Sequence, residues 1–264
     1  TCVDCPTPVI GEITDRALDI DSDDRLHVAF GGDHLMYGFS DGGPWTFTVA
    51  DRSPGVGDHA AVAVDAQNRP HISYYDSVNQ DLKYATLEST GWRIETVDPQ
   101  VIQGGDTSIA VDSAGKPHIA YDLGGASTYA YRDGSGWHRE EVPECLSTMR
   151  VGVDSANRAH VACAGTGGLR YGWRDQQGWT MEAVPVLGSS GFSLILDQSG
   201  TPHISGTFYG SAWLGYAHRD QEGWHVQTVE SAPGEAGYSS IALDPSGVPR
   251  ISYYFEDGTN AGDL

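Results

Sequence analysis

The sequence predicts an all-β fold, a six-bladed β-propeller with four antiparallel strands in each blade. Three observations predict it. An aspartate that closes an apolar stretch recurs at Asp21, Asp65, Asp112, Asp154, Asp197 and Asp244, at intervals of 42 to 47 residues. Each interval holds four short segments of β-branched or aromatic residues, bounded by Gly, Asp, Asn, Ser or Pro. Helix formers are sparse, whereas Gly reaches 34 of 264 residues. Four short strands at that spacing make one propeller blade, and six copies make six blades.

The segments follow a fixed order. In the second copy they read AAVAVD, PHISYYD, DLKYATL and GWRIETVD; in the third, SIAVD, PHIAYD, TYAYRD and GWHREEV. Between the first and second strands the third turn residue is Asp24, Asn68, Gly115, Asn157, Gly200 or Gly247. Only residues that tolerate positive φ occupy that place, which predicts a hairpin with one left-handed residue, its turn capped by the preceding aspartate. The second strand then opens with His27, His71, His118, His160 and His203, and with Arg250 in the sixth copy. A single ion needs ligands within about 2.0–2.1 Å, so histidines spread around a ring do not form one site. An internal hydrogen bond explains them better, to the repeat's own aspartate or to a carbonyl of the neighbouring blade.

First strands carry Ala, Val, Ile and Leu. Third strands carry Tyr37, Tyr84, Tyr129, Tyr171 and Tyr216, and fourth strands open with Trp45, Trp92, Trp137, Trp179 and Trp224. Blades that diverge from an axis need larger filling at larger radius, so this gradient predicts packing for the Trp row. The sixth copy, SSIALDPSGVPRISYYFEDGTNAGDL, supplies two strands, and PVIGEITD near the N-terminus reads as a fourth. The expectation is therefore one domain, 1–264, closed by N- and C-terminal segments sharing the last blade. Residues 1–15 are the closing segment, and blades start near 16, 60, 107, 149, 192 and 239. Either Thr1–Cys5 supplies the missing third strand, or residues beyond Leu264 do.

The net charge of −21, from 36 acidic against 15 basic residues, opposes binding to nucleic acid or anionic lipid. No apolar run approaches the roughly 18 residues of a transmembrane segment. An extracellular, periplasmic or cell-surface monomer is expected. Cys145 precedes the fourth blade's first strand and Cys163 ends its second, so antiparallel pairing brings them together as a disulfide. Pairing of Cys2 with Cys5 stays open.

The pattern A/I-V-D-x-x-G-x-P-H-I-x-Y followed by Y-x-x-R-D-x-x-G-W resembles bacterial six-bladed propeller repeats, and is similar to the NHL and gluconolactonase-like superfamily. That resemblance covers nearly the whole chain and implies a fold rather than one activity, because the group includes metal-dependent lactonases, lyases, binding modules and scaffolds. The sialidase Asp-box S-x-D-x-G-x-x-W is absent, as are G-x-S-x-G, H-E-x-x-H and a phosphate-binding Gly loop. Fucose-binding propeller lectins use Arg, Glu and Trp between blades. Arg93, Glu95 and Trp92 imitate that set, without Arg and Glu in register in the other blades. The start of a calcium loop in DIDSDD, from Asp19, is explained by the repeat itself.

Sites in repeat folds lie where the repeats differ. The segments leading into the first strands are unlike one another: ITDR, GDHA, GGDT, LSTM, SSGF and AGYS. They place Asp15, Arg16, Asp58, His59, Asp106, Thr148 and Tyr238 on the rim of the central channel. Ends of second strands add Asp76, Asp122, Tyr254 and Phe255. The expected site is a polar, acidic pocket for a cation, carbohydrate or other polar ligand. Asp15, Asp58, His59 and Asp106 are the metal-ligating set, for calcium or another divalent cation. The leading expectation is a secreted or surface-exposed binding propeller with its ligand at the channel mouth or between blades. Its partner would be a polar small molecule, a glycan or a protein. A metal-dependent hydrolase or lyase of gluconolactonase-like type and a protein-interaction scaffold are the alternatives.

Overall fold

The computed structural model describes residues 14, 16–99, 105–122, 127–186, 190–208, 213–231 and 235–256, and no helix occurs among them. Two compact units divide the chain, Thr1–Glu141 and Val142–Leu264.

The first unit holds three sheets. Sheet 1 runs β1 (Leu18–Ile20), β2 (Leu26–Phe30), β3 (Leu35–Ser40) and β4 (Thr46–Asp51). Sheet 2 runs β5 (Val56–Val64), β6 (Pro70–Asp76), β7 (Asp81–Glu88) and β8 (Gly91–Asp98). Sheet 3 runs β9 (Thr107–Val111), β10 (Pro117–Asp122), β11 (Ser127–Asp133) and β12 (Gly136–Glu141). The second unit repeats the plan. Sheet 4 has β13 (Cys145–Val153), β14 (Ala159–Gly165), β15 (Gly168–Asp175) and β16 (Gly178–Ala183). Sheet 5 has β17 (Ser190–Leu196), β18 (Pro202–Phe208), β19 (Trp213–Asp220) and β20 (Gly223–Glu230). Sheet 6 shows β21 (Glu235–Leu243) and β22 (Pro249–Glu256) among the described residues. Every four-stranded sheet is an antiparallel meander in chain order. Apart from Thr14, the expected ring-closing segment 1–15 lies outside the described residues, as do the pair Cys2 and Cys5, Asp15 itself and the residues after Glu256.

Local chemistry forms the first hairpin of each repeat. The third turn residue has positive φ in all six: Asp24 59°, Asn68 61°, Gly115 73°, Asn157 61°, Gly200 83° and Gly247 78°. In every copy one oxygen of the repeat aspartate accepts two backbone N–H bonds of 2.8–3.0 Å, from residues two and four positions on. DIDSDD is one of these turns, with Asp21 as its cap.

The apolar core sits between neighbouring sheets rather than within one. Ala29, Tyr37, Val56, Ile72 and Tyr74 join sheets 1 and 2; Leu82, Tyr84, Ile109, Ile119 and Tyr121 join sheets 2 and 3. Leu169, Tyr171, Phe192, Leu194 and Ile204 join sheets 4 and 5. Trp92, Trp137 and Trp224 pack as the size gradient predicts, whereas Trp45 is exposed. Tyr37 meets Trp92 edge to face at 5.1 Å, Tyr84 meets Trp137 at 5.3 Å and Tyr171 meets Trp224 at 5.4 Å. Cys145 and Cys163 form a disulfide with Cα atoms 5.6 Å apart, where two register shifts in β13 bring Cys145 across to β14.

Candidate ligand clefts between neighbouring sheets

Each repeat histidine belongs to a buried three-residue chain. Its Nδ1 meets the hydroxyl of the third-strand tyrosine: His27 with Tyr37 at 2.7 Å, and His71–Tyr84, His118–Tyr129, His160–Tyr171 and His203–Tyr216 at 2.5 Å. Its Nε2 faces the second oxygen of the capping aspartate. A carboxylate only accepts, so Nε2 carries the proton, and Nδ1 accepts the tyrosine hydroxyl. Burial lowers the pKa of His71, His160 and His203 below the usual 6.5, against the pull of the aspartates. Burial likewise pushes Tyr84 up to about 12. Burial thus favours the neutral form of these three, and all five imidazoles are structural pieces. The aspartate is the partner, as one of the two sequence expectations held; the tyrosine hydroxyl was not anticipated.

The aspartate contact is not uniform, and one residue explains why. It is 3.1 Å for His27, His71 and His160, but 3.8 Å for His118 and His203. The three short cases have Arg25, Arg69 or Arg158 at the end of the turn, with Nε donating to the same aspartate oxygen at 2.7 Å. The two long cases have Lys116 and Thr201 there. The guanidinium clamps the carboxylate against the histidine. In sheet 6 Arg250 stands in the histidine place and donates to Asp244 at 2.8 Å.

A second repeated device ties one sheet to the next. Glu95 of β8 accepts from Arg132 Nε at 2.9 Å and from Trp137 Nε1 at 2.7 Å, both in sheet 3. Glu182 of β16 accepts from Arg219 Nε at 2.6 Å and from Trp224 Nε1 at 2.8 Å, both in sheet 5. The glutamate therefore does recur in register, opposite the triad tyrosine on the fourth strand, which corrects the sequence reading. Its partner in the next sheet is the Arg of Y-x-x-R-D in the following repeat, and in sheet 2 Arg93 also donates to Glu95. These latches use the same residue types as the set Arg93, Glu95 and Trp92, but of those three only Glu95 takes part in one.

Between sheets 1 and 2 both halves of the latch are missing. Thr48 lies opposite Tyr37 where glutamate is needed, and Leu87 pairs with Trp92 where arginine is needed. Losing both together avoids an unpaired buried charge. What remains is a cleft of about 610 Å³ walled by Phe39, Phe47, Leu87 and Trp92, with Arg25 and Arg52 at its polar side. Arg25 is occupied by Asp21 and Asp23 and lies 5.6 Å over the Phe39 ring. Arg52 is exposed and makes no hydrogen bond or ion pair among the described residues. Phe47 is 37% exposed and stacks on Trp45 at 6.0 Å. The equivalent cleft between sheets 2 and 3 shrinks to about 220 Å³, with Arg93 lying 5.9 Å over Tyr84. Between sheets 4 and 5 Thr180 takes the place of Arg93, and a cleft of about 610 Å³ opens beside Trp173 and Arg219. Cavities of roughly 300–1,000 Å³ suit small ligands, so two of the three clefts qualify.

The rim residues have separate fates. His59 Nδ1 lies 3.3 Å from Asp106 Oδ1, so these two meet. Asp58 is exposed beside them, and Asp15 lies outside the described residues. Asp76 is 1% exposed and caps its own turn, accepting from Val78 and Asn79 and lying 3.5 Å from Lys83. Asp122 is half-buried and its carbonyl accepts from Gly105 at 3.5 Å. Tyr254 is half-buried on β22, and Tyr238 is 80% exposed on β21. His59, Thr148 and Tyr238 have φ of 53°, 36° and 48°, each six residues before a capping aspartate and each at a register shift. Only Gly191 holds that place without cost, at φ 58°. Backbone strain in the left-handed region at a β-branched threonine is rare and persists where surroundings enforce it.

No protein-family profile matches the sequence, and no curated protein matches it. Solved structures do. The chain is similar to a Hadza microbial sialidase (14% identity, TM-score 0.59, 92% of this chain and 63% of that one). It is similar to the polysaccharide lyase Uly1 (10% identity, TM-score 0.52, 97% and 81%). It is also similar to virginiamycin B lyase from Staphylococcus aureus, solved with quinupristin (11% identity, TM-score 0.61, 96% and 86%). The chain thus spans less than two thirds of the length of that sialidase. At these identities the likeness shows a shared fold, and the neighbours are β-propeller-like proteins.

Proposed function

We propose that the six repeats form one six-bladed propeller, secreted or surface-exposed, that binds a glycan in the cleft between sheets 1 and 2. One observation carries this reading: the latch that fills the same place elsewhere is lost at both partners, leaving aromatic walls beside the unengaged Arg52. A pyranose has an apolar C–H face that lies on Phe47 or Trp92, and hydroxyl or carboxylate oxygens that Arg52 can bind in bidentate fashion. The sialidase and polysaccharide lyase among the structural neighbours support a carbohydrate ligand. The Cys145–Cys163 disulfide supports an oxidising location.

The test is a glycan array followed by calorimetry on wild type, Phe47→Ala and Arg52→Ala. Both side chains are exposed, so melting should hold while affinity falls at least about tenfold, the equivalent of one hydrogen-bonded or aromatic contact. Equal binding by both variants removes the cleft as the site. A second reading, a divalent cation at the channel mouth, is favoured by the approach of His59 to Asp106. It predicts that Asp106→Ala loses bound calcium or another divalent cation; unchanged metal content rejects it.

A further inference from the structure

We propose that His218, Asp220 and His225 bind a transition-metal ion of the Zn2+, Ni2+ or Cu2+ class on the β19–β20 hairpin of sheet 5. Residues two apart on a strand share one face, so His218 and Asp220 project together. His225 pairs directly with His218 across the hairpin and shares that face. One ligand atom from each of the three lies within 4.8 Å of the others. The two imidazoles stack with centroids 5.0 Å apart and planes 20° from parallel. A tetrahedral ion with bonds of about 2.0–2.1 Å needs ligand atoms about 3.4 Å apart, a closure that rotation of these half-exposed side chains supplies.

The second observation concerns unmet polar atoms. His218 Nδ1 and His225 Nε2 are shielded from solvent and have no hydrogen-bond partner. Asp220 Oδ1 lies 2.9 Å from His225 Nε2, close enough for charge pairing, without forming that bond. His218 Nδ1 is left without a partner and His225 Nε2 has only the poorly aligned Asp220 carboxylate beside it, although buried polar groups are almost always satisfied. A cation held between them and the carboxylate supplies what is missing. Two imidazoles and one carboxylate select transition metals over Ca2+ and Mg2+, which take oxygen ligands. Three protein ligands leave a coordination position open. Asp220 also lines the cleft between sheets 4 and 5, so the ion would stand at the edge of that cavity.

The other repeats show that the fold does not require this set. Sheet 3 has Tyr131, Asp133 and His138 in the same three places, and Ser135 Oγ bonds His138 Nε2 at 2.9 Å. Sheet 4 has Trp173, Asp175 and Thr180. Two histidines occur together only in sheet 5 among the described four-stranded sheets, and there Glu222 replaces the serine. The sequence reading passed over them because AHRDQEGW aligns with its neighbours so well.

The sister repeats also supply the variants. Untagged protein is titrated with Zn2+ by calorimetry, and its bound metal is counted after gel filtration, with Ca2+ as a control titrant. Wild type should take up one Zn2+ per chain at this site. His218→Tyr and His225→Thr copy residues that sheets 3 and 4 already fold with, so circular dichroism and melting should be near wild type. Affinity for Zn2+ should fall by at least the roughly 10–100-fold that follows loss of a supporting group. His138→Ala should bind as wild type does. Absence of Zn2+ binding, equal binding by both variants, or an equal loss in His138→Ala would each overturn the assignment.

Discussion

At the scale of residues, the Asp–His–Tyr chain is the unit that the sequence repeats. It resembles a catalytic arrangement in composition, yet all five histidines are buried and each meets a tyrosine hydroxyl, which makes the chain a structural strut. His118→Ala should cost about 1–3 kcal/mol in denaturant unfolding, the penalty for leaving the Tyr129 hydroxyl without its imidazole acceptor, with the proposed glycan binding per folded molecule unchanged. Lys116→Arg should install the clamp of the neighbouring turns and raise stability by about 1 kcal/mol; a fall would contradict the clamp. The strut also fixes a pH response. His71, His160 and His203 have folded pKa values below their unfolded 6.5, so below that pH the unfolded chain binds protons that the folded chain does not. Stability is therefore full above pH 6.5 and is lost as pH falls toward the folded values. Asp65 and Asp154, lowered from 3.8 by their donors against burial, add a loss of the same sign further down. Melting temperature should drop between pH 7.5 and 5.5, and a flat or rising profile would show that the histidines are charged in the folded state.

At the scale of elements, the hairpins and the links between sheets carry different kinds of information. Each β-turn was legible, because a capping carboxylate and a residue that accepts positive φ act within four positions of one another. The Cys145–Cys163 bond was legible for a similar reason, as adjacent strands of one hairpin set the distance. It closes a separation of 18 residues, and reducing it should lower stability by about 3 kcal/mol in the chain-entropy view. The tyrosine hydroxyls and the Glu–Arg–Trp latches were not legible. Their partners lie 10 to 13 residues away across a hairpin in the first case, and 37 to 42 residues away in the next sheet in the second. Only cross-strand register reveals such pairs. Glu182→Ala should cost about 1–3 kcal/mol, because Arg219 and Trp224 keep their donors and lose the acceptor. Thr48→Ala, at the same register in sheet 1, should cost little.

At the scale of the molecule, repetition supports the fold and departure from repetition marks the proposed cleft. The acidic surface, with net charge −21, surrounds a cleft whose polar side is basic, so an anionic sugar would be repelled at a distance and bound on contact. Affinity for such a ligand should rise with salt through the long-range part and fall for Arg52→Ala. The rim residues read from sequence proved less coherent as a group, since Asp76 caps a turn while His59 and Asp106 meet. Loop segments have no periodic pattern from which to read where side chains point. The proposed glycan binding depends on the missing latch between sheets 1 and 2. The direct measurement is glycan affinity of the double variant Thr48→Glu with Leu87→Arg, which rebuilds the Glu–Arg–Trp bridge against Trp92. The double variant should be at least as stable as wild type with binding abolished, and binding retained at wild-type strength with the latch in place would rule the cleft out.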